Sequence, residues 1–269
     1  MNISILTDNY PGNYTQAEHG LSYLIEDDVK ILFDTGQSDL FLRNAEKLNI
    51  NLDTVDTVIL SHGHYDHGNG LKYLRNKRLI CHPEAFISRY RKADEKRTNI
   101  GISINEKQVR SLFHLTTVET PLLISNHIFF LGEIPRLNDF EAKTTSFIKE
   151  DNSDDFVMDD SAIAVRMIQG LIIVSGCGHA GICNIIEYAK KITREKKVYG
   201  VIGGFHLKES DSITRKVIEY FKSENIKRIY PAHCTALPAM AAFWNEFGIQ
   251  QVKTGDVLNF NMHDNIFYT

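Results

Sequence analysis

The chain has 269 residues, 43% of them hydrophobic and 24% charged, with a formal net charge of −4. That composition supplies a substantial core and lacks the basic excess of a nucleic-acid-binding surface, and no apolar run reaches the ~20 residues needed to span a bilayer. The opening MNISILTDNYPGNY has neither the basic start nor the apolar stretch of a secretory signal. Cys81, Cys177, Cys183 and Cys234 show no framework spacing. A cytoplasmic protein with reduced thiols is therefore expected.

NISILT reads as a strand and Pro11-Gly12 as a turn, and LSYLIE and VKILFD, separated by Asp27-Asp28, predict a hairpin. Ser38 can cap a helix that carries Leu40, Phe41, Ala45 and Leu48 on one face. The run VDTVILS predicts a strand ending at a histidine-rich stretch, with a brief helix over 68–75 and a strand at KRLICH beyond it. This alternation is of the α/β kind. Residues 84–113 are polar and predict a mostly helical insertion, extending to about 125, before a strand over 126–131. Residues 140–160 hold Asp151, Asp154, Asp155, Asp159 and Asp160 and predict a surface lid or binding loop without EF-hand spacing. The strands AIAVRMI and LIIVS, a helix over 182–191, the strand VYGVIGG, a helix over 213–223, the strand KRIYPA and a helix at Leu237–Phe247 complete the pattern. No repeat or Pro/Ser-rich linker interrupts it, so one domain over 1–269 with a shared core is expected.

Two motifs carry chemistry. Gly176, Gly178 and Gly181 spell G-x-G-x-x-G behind an apolar run, the outline of a dinucleotide-binding loop. The same stretch holds Cys177 and His179, both metal-ligand types. The second motif, His62-Gly63-His64-Tyr65-Asp66-His67, places three imidazoles and a carboxylate directly after a strand. Zinc and its first-row neighbours favour such donors. In an extended loop His62 and His64 point to one side and can grip one ion, while Asp66 and His67 can reach a second. A dinucleotide loop should come early in a βαβ unit, with an acid about 20 residues on. Here the next strand ends in Gly203-Gly204-Phe205-His206, which favours the metal reading.

H-x-H-x-D-H in this position resembles the metallo-β-lactamase superfamily. The resemblance extends through ILFDTG with Asp34, VSGCGH, and YPAHCTA with His233. The phrases AEHGLSYLI, SHGHYDHGNGL, GEIPR, SGCGHAGI, GGFHL and PAHCT are similar to the branch named for the 7,8-dihydropterin-ribofuranosylaminobenzene-phosphate synthases. The resemblance implies an αββα sandwich and a one- or two-metal site. One ion would be held by His62, His64 and His179, the other by Asp66, His67 and His233, with Asp34 orienting the ligand loop. The ions implied are zinc, with manganese or iron as alternatives. Where many members carry a bridging Asp, this chain has Cys177. A bridging thiolate, a terminal ligand and a packed thiol are all compatible with the sequence. Packing is the preferred expectation, because His179 already supplies a ligand from the same short loop.

Other residues have weaker claims. His206 in GGFHL is a candidate general acid or substrate contact, and His19 and Glu133 are candidates to reach the site. Cys234 reads as packing, and His82, His114, His127 and His263 as structural or exposed. Arg89, Arg91, Lys92, Lys96 and Arg97 form a basic run that would normally be a solvated face. If it overhangs the site it selects phosphorylated small molecules. The leading functional expectation is a metal-dependent hydrolase that activates water, with Asp66 and His206 as its catalytic side chains, acting on a phosphate ester or nucleotide-like substrate. The alternatives are the namesake condensation and a non-catalytic ligand sensor. Neither a nucleic-acid nor a membrane partner is expected, and the sequence does not set the oligomeric state.

Overall fold

Side chains that alternate between two apolar environments dictate the layering. The structure, a computed structural model, describes residues 1–93 and 96–260. In the strand Lys30–Phe33, Ile31 and Phe33 face one cluster and Leu32 another. In the strand Gly170–Ser175, Ile172 and Val174 face that first cluster, while Leu171 and Ile173 face a third. A strand with both faces buried between layers follows from this period of two.

A seven-stranded sheet runs in the order Val257–Asn259, Asn2–Thr7, Ser22–Glu26, Lys30–Phe33, Thr57–Ile59, Lys77–Cys81, Phe113–Thr117. A six-stranded sheet runs Arg228–Ala232, Val198–Gly204, Gly170–Ser175, Ala162–Met167, Ile128–Phe130, Leu122–Leu123. The two face each other across a cluster that includes Ile5, Phe33, Ile59, Ile163, Val174 and Ile202, drawn from both halves of the chain. The helix Leu40–Lys47 covers the outer face of the first sheet through Phe41 and Ala45. The helices Ile182–Thr193, Ser212–Ser223 and Leu237–Phe247 cover the second through Ile185, Val217 and Phe243. The result is an αββα sandwich. Within each sheet the strands nearest the site run parallel, Lys30–Phe33 with Thr57–Ile59 and Gly170–Ser175 with Val198–Gly204 and Arg228–Ala232. Their carboxyl ends therefore meet at one rim, where open α/β sheets place their ligands.

The N-cap of the helix Leu40–Lys47 is Asp39 rather than Ser38, although the Ser38 hydroxyl, one residue earlier, accepts from the Leu40 amide at 3.1 Å. The helix expected over 68–75 instead starts inside the histidine motif, as Tyr65–Gly68, and continues as a 3-10 turn over Asn69–Tyr73. The insertion differs more. Residues 84–113 are not mostly helical: Arg89–Ala93 pairs antiparallel with Lys96–Asn99, and among the described residues of this stretch the α-helix is confined to Glu106–Leu112, opened by an Asn105–Gln108 capping box. Nor does an insertion continue to 125, because Phe113–Thr117 and Leu122–Leu123 join the two main sheets. The 140–160 stretch contributes the strand Phe147–Lys149, which pairs with Arg89–Ala93 to make a separate three-stranded sheet. Its Asp155, Asp159 and Asp160 are buried rather than solvated. Arg89 explains part of this. Its side chain is fully buried, with Nη1 2.7 Å from Asp159 and Nε 3.4 Å from Asp155. Among the described residues no helix is long and apolar enough to cross a membrane. His263 lies outside the described residues.

Candidate metal centre

The site is assembled from residues just past strand ends. Asp8 follows Asn2–Thr7, Asp34 follows Lys30–Phe33, and the 62–67 loop leaves Thr57–Ile59. Cys177 and His179 follow Gly170–Ser175, His206 follows Val198–Gly204, and His233 follows Arg228–Ala232. Asp34, His206 and His233 turn back at φ of 58°, 50° and 47°. That left-handed backbone costs a non-glycine residue about 1–2 kcal/mol. The tight turn brings each side chain to the rim instead of letting it follow the strand outward.

Asp34 sets the orientation of the ligand loop. It is fully buried, and its Oδ1 accepts from the Ser61 amide at 2.7 Å. Its Oδ2 accepts from the Ser61 hydroxyl and from His67 Nδ1, each at 2.7 Å. With its proton committed to Asp34, the Ser61 oxygen accepts from His62 Nδ1 at 2.9 Å. Both rings thus carry hydrogen on Nδ1 and turn Nε2 inward, as metal-binding imidazoles do when their outer nitrogen is tied to a carboxylate. His62 Nε2 lies 2.9 Å from His64 Nδ1, and His67 Nε2 lies 3.0 Å from His233 Nε2.

Charge is distributed unevenly over these rings. Burial holds His62, His64 and His179 well below the ordinary histidine range, so all three are neutral donors. Burial also opposes charge on His67, but the Asp34 carboxylate outweighs it and raises that ring to about 9. A cation at His67 would have to displace its Nε2 proton. Nε2 of His64, Nε2 of His179 and Nδ1 of His233 are buried without a hydrogen-bond partner. Unpaired buried polar atoms are costly. A cation held among these rings would remove that cost, and the neutral imidazole and carboxylate donors fit a transition metal.

The glycine motif serves the same site. A Cβ at Gly176 would lie 2.1 Å from Ser61 Oγ and 3.1 Å from Asp34 Oδ2, so the close approach there is to the ligand scaffold rather than to a phosphate. Gly178 turns at φ +73°, which carries the chain round to His179. The amides at the start of the following helix are already occupied. Cys183 N and Asn184 N donate to the Glu141 carboxylate at 3.1 and 3.2 Å. A pyrophosphate would have to displace that buried acid.

Comparison with known proteins agrees with this geometry. The family described as the metallo-beta-lactamase superfamily matches residues 16–83, from the hairpin through the histidine motif. A protein of Methanocaldococcus jannaschii named as uncharacterized protein MJ0448 is 37% identical over 245 residues, covering 88% of this chain and 92% of its own. The chain belongs to the metallo-beta-lactamase superfamily. Another M. jannaschii protein, named 7,8-dihydropterin-6-methyl-4-(beta-D-ribofuranosyl)-aminobenzene-5'-phosphate synthase, is 33% identical, with 96% of each chain covered. A crystal structure described as Tm1679, a metal-dependent hydrolase of the beta-lactamase superfamily, superposes with a TM-score of 0.86 at 34% identity, covering 97% of this chain and 99% of that one.

Within this superfamily fold, Asp66 is a hub. Burial would raise its carboxyl, but hydrogen bonds from His19 and His233 hold it well below the usual range. Its Oδ2 is 3.1 Å from His19 Nε2 and 3.4 Å from His233 Nε2. His19 therefore does reach the site, stacked on His233 at 5.1 Å yet half-exposed. His206 packs on His179 at 4.2 Å between ring centres, and its Nδ1 is 3.9 Å from the Cys177 sulfur. Glu133 stays apart from these rings. Its carboxylate is 3.6 Å from His82, which caps the 3-10 turn Pro83–Phe86. His127 pairs with Asp27 at 2.7 Å, and His114 is exposed.

A cavity of about 600 Å³ opens over His179 and His206, walled by Phe140, Phe147 and Phe156 and bordered by Arg91, Lys143 and Lys208. The Phe147 ring stands edge-on to His64 and His179 at 5.0 and 5.4 Å. Of the basic run, Arg91 borders the cavity and Arg89 is buried, whereas Arg97 stacks on Tyr90 at the surface.

Several residues that shape the site were not anticipated. Asp8 accepts from the His233 amide at 3.2 Å and from the Tyr23 hydroxyl at 2.7 Å, and Asn9 Nδ2 donates to the His233 carbonyl at 2.8 Å. Asp159 Oδ2 accepts from the Gly63 amide at 2.7 Å, and Asp160 Oδ2 from Ala180 at 2.8 Å. Asp8, like Asp34, is an acid directly after an apolar strand, a position visible in the sequence although the family resemblance drew only Asp34 from it. Asp159 and Asp160 stand directly ahead of the strand Ala162–Met167, a position more ordered than a surface lid.

Proposed function

We propose that the protein is a metal-dependent hydrolase of small phosphorylated molecules. The observation that carries this reading is the convergence of imidazole nitrogens from the 62–67 loop, His179 and His233 next to a cavity that His179 and His206 line and that Arg91, Lys143 and Lys208 border. His62, His64 and His179 would hold one ion, and Asp66, His67 and His233 the other, with zinc favoured by these donors and manganese or iron as alternatives. When bound, such a pair supplies Lewis acidity that polarises a scissile group and acidifies water.

The chain's own residues supply the rest. Asp66, kept ionised by His19 and His233, is an acceptor that can orient a water proton among these rings. His206, half-buried in the cavity wall, is placed to hand a proton to the leaving group. Phe140, Phe147 and Phe156 exclude water from one side, and the basic border favours an anionic substrate. Glu141, Glu209 and Asp211 also line this space; Glu141 and Asp211 are each engaged at a helix N-terminus, which leaves Glu209 as an exposed carboxylate against the three cations.

The second reading is condensation of a dihydropterin with a ribofuranosylaminobenzene phosphate, favoured by the name of the relative covered over 96% of its length. Both readings need the same donors and an anionic substrate. Elemental analysis of purified protein, with a screen of phosphomonoesters, phosphodiesters, thioesters and lactones and of the paired condensation substrates, separates them. Bound transition metal, hydrolysis of a phosphate ester, its loss on chelation and its return on reloading are expected. Absence of metal with no uptake on reconstitution ends both readings. Condensation without hydrolysis would leave the second.

A further inference from the structure

Cys81 and Cys183 each sit in a hydrophobic cluster, as packing thiols do. Cys177 is only 4% exposed yet belongs to none of the three apolar clusters. Its sulfur lies among imidazoles instead. With His62 and His179 it forms a group whose donor atoms all lie within 4.8 Å of one another, with His67 and His233 a second, and with His206 and Cys234 a third. Of the first two groups, which hold four imidazoles of the site, Cys177 is the common member. The neighbouring thiol, Cys234, is directed at the Cys177 carbonyl at 3.1 Å. The loop is also held closely in place, since a Cβ at Gly204 would lie 2.9 Å from the Cys177 Cα.

We propose that Cys177 is a thiolate ligand shared by two metal ions, one held with His62 and His179 and the other with His67 and His233. This rests on the metal-site reading above and adds sulfur to its donor set. Metal–sulfur and metal–nitrogen bonds of about 2.3 and 2.0–2.1 Å put two donors on one ion roughly 3–4 Å apart, within the span of both groups. On binding, the thiol proton leaves to solvent as the sulfur–metal bonds form. A thiolate between two cations offsets their repulsion. It also biases the site toward zinc, cobalt and iron and away from magnesium and calcium.

The test is cobalt(II) reconstitution of the whole protein, its Cys177→Ser variant and its Cys177→Asp variant, with circular dichroism to confirm folding. Wild type is expected to take up two ions per chain and to show a near-ultraviolet thiolate-to-cobalt charge-transfer band. Cys177→Ser should lose that band and bind at least one ion tenfold or more weakly, since even partners behind a ligand are worth about 10–100-fold. Cys177→Asp should recover two ions without the band, which also guards against misfolding of the serine variant. Two ions in wild type without the band would overturn the proposal while sparing the metal-site reading. The band with a single ion would make Cys177 a terminal ligand and overturn sharing. No uptake by wild type would overturn both.

Discussion

In the floor of the site, where the rings pack on His179 and on one another, each imidazole of the 62–67 loop is buried and tied to a neighbouring polar group, whereas the cavity wall over residues 140–156 turns Lys143, Thr144 and Ser146 to solvent. Floor residues are held through Asp34, Asp8 and Asp159, carboxylates that are themselves buried. Lys143, in the wall, is held by one surface hydrogen bond to the Asn138 carbonyl at 2.7 Å. The difference separates two tasks. Donor placement needs sub-ångström constancy and is built from interlocked buried charges. Substrate selection tolerates movement and is built on exposed side chains that a ligand can reorder.

The largest expected effect breaks the link between the two regions. Arg89 joins the three-stranded sheet to the floor, because Asp159 accepts from both Arg89 and the Gly63 amide. Arg89→Met should destabilise the fold by about 3–5 kcal/mol, the cost of leaving buried carboxylates unpaired, as measured by denaturant unfolding. A loss below about 1 kcal/mol, within the range of a surface pair, would mean the wall is not anchored through this ion pair.

Asp160 gives a pH-dependent test of the same anchoring. Burial raises its carboxyl from 3.8 to about 7, and its Oδ1 has no partner. The folded state therefore binds a proton more tightly than the unfolded state across that interval, so stability should fall as pH rises from about 4 to about 7. The loss is on the order of a few kcal/mol. Asp160→Asn, which keeps an acceptor for the Ala180 amide, should flatten this dependence. An unchanged slope in the variant would place the titration elsewhere.

Asp34 tests the floor alone. Asp34→Asn keeps the shape but cannot accept from Ser61 and His67 with both oxygens, so the inward tautomers of His62 and His67 lose their support. Metal affinity should fall about 10–100-fold in a competition titration with a chromogenic chelator. Unaltered affinity would show that the rings are oriented by packing alone.

What the sequence made legible follows the same division. The 62–67 motif was readable because its donors are close in the chain, whereas His179 and His233, remote in sequence, were joined to it only by the family resemblance of VSGCGH and YPAHCTA. The α/β alternation is legible in the apolar runs, whereas the αββα layering is implied only by the family resemblance, because short apolar strands do not say which sheet they join. The three-stranded sheet was not readable. Arg89-Tyr90-Arg91-Lys92 looks like a solvated helix face, since nothing local reveals that Arg89 points inward to an Asp seventy positions away. Asp155, Asp159 and Asp160 look like surface acids for the same reason. Hydrophobic periodicity cannot register a buried charge whose partner is remote.

The smallest effect sharpens the comparison from the wall side. Lys143 is exposed on the cavity border, and apart from the Asn138 carbonyl its charge faces the space a ligand would fill. Lys143→Ala should raise KM for a phosphorylated substrate by about two- to fivefold, the scale of an exposed charge pair, and leave kcat and metal content unchanged. That pattern is the signature of binding felt equally by ground and transition states. The effect should shrink as salt rises, because screening acts on exposed charges first. An uncharged ester turned over by the same protein is the control, and its KM should not move. An equal rise for both substrates would mean that Lys143 shapes the wall rather than reading phosphate. A fall in metal content would mean that wall and floor are not separate after all.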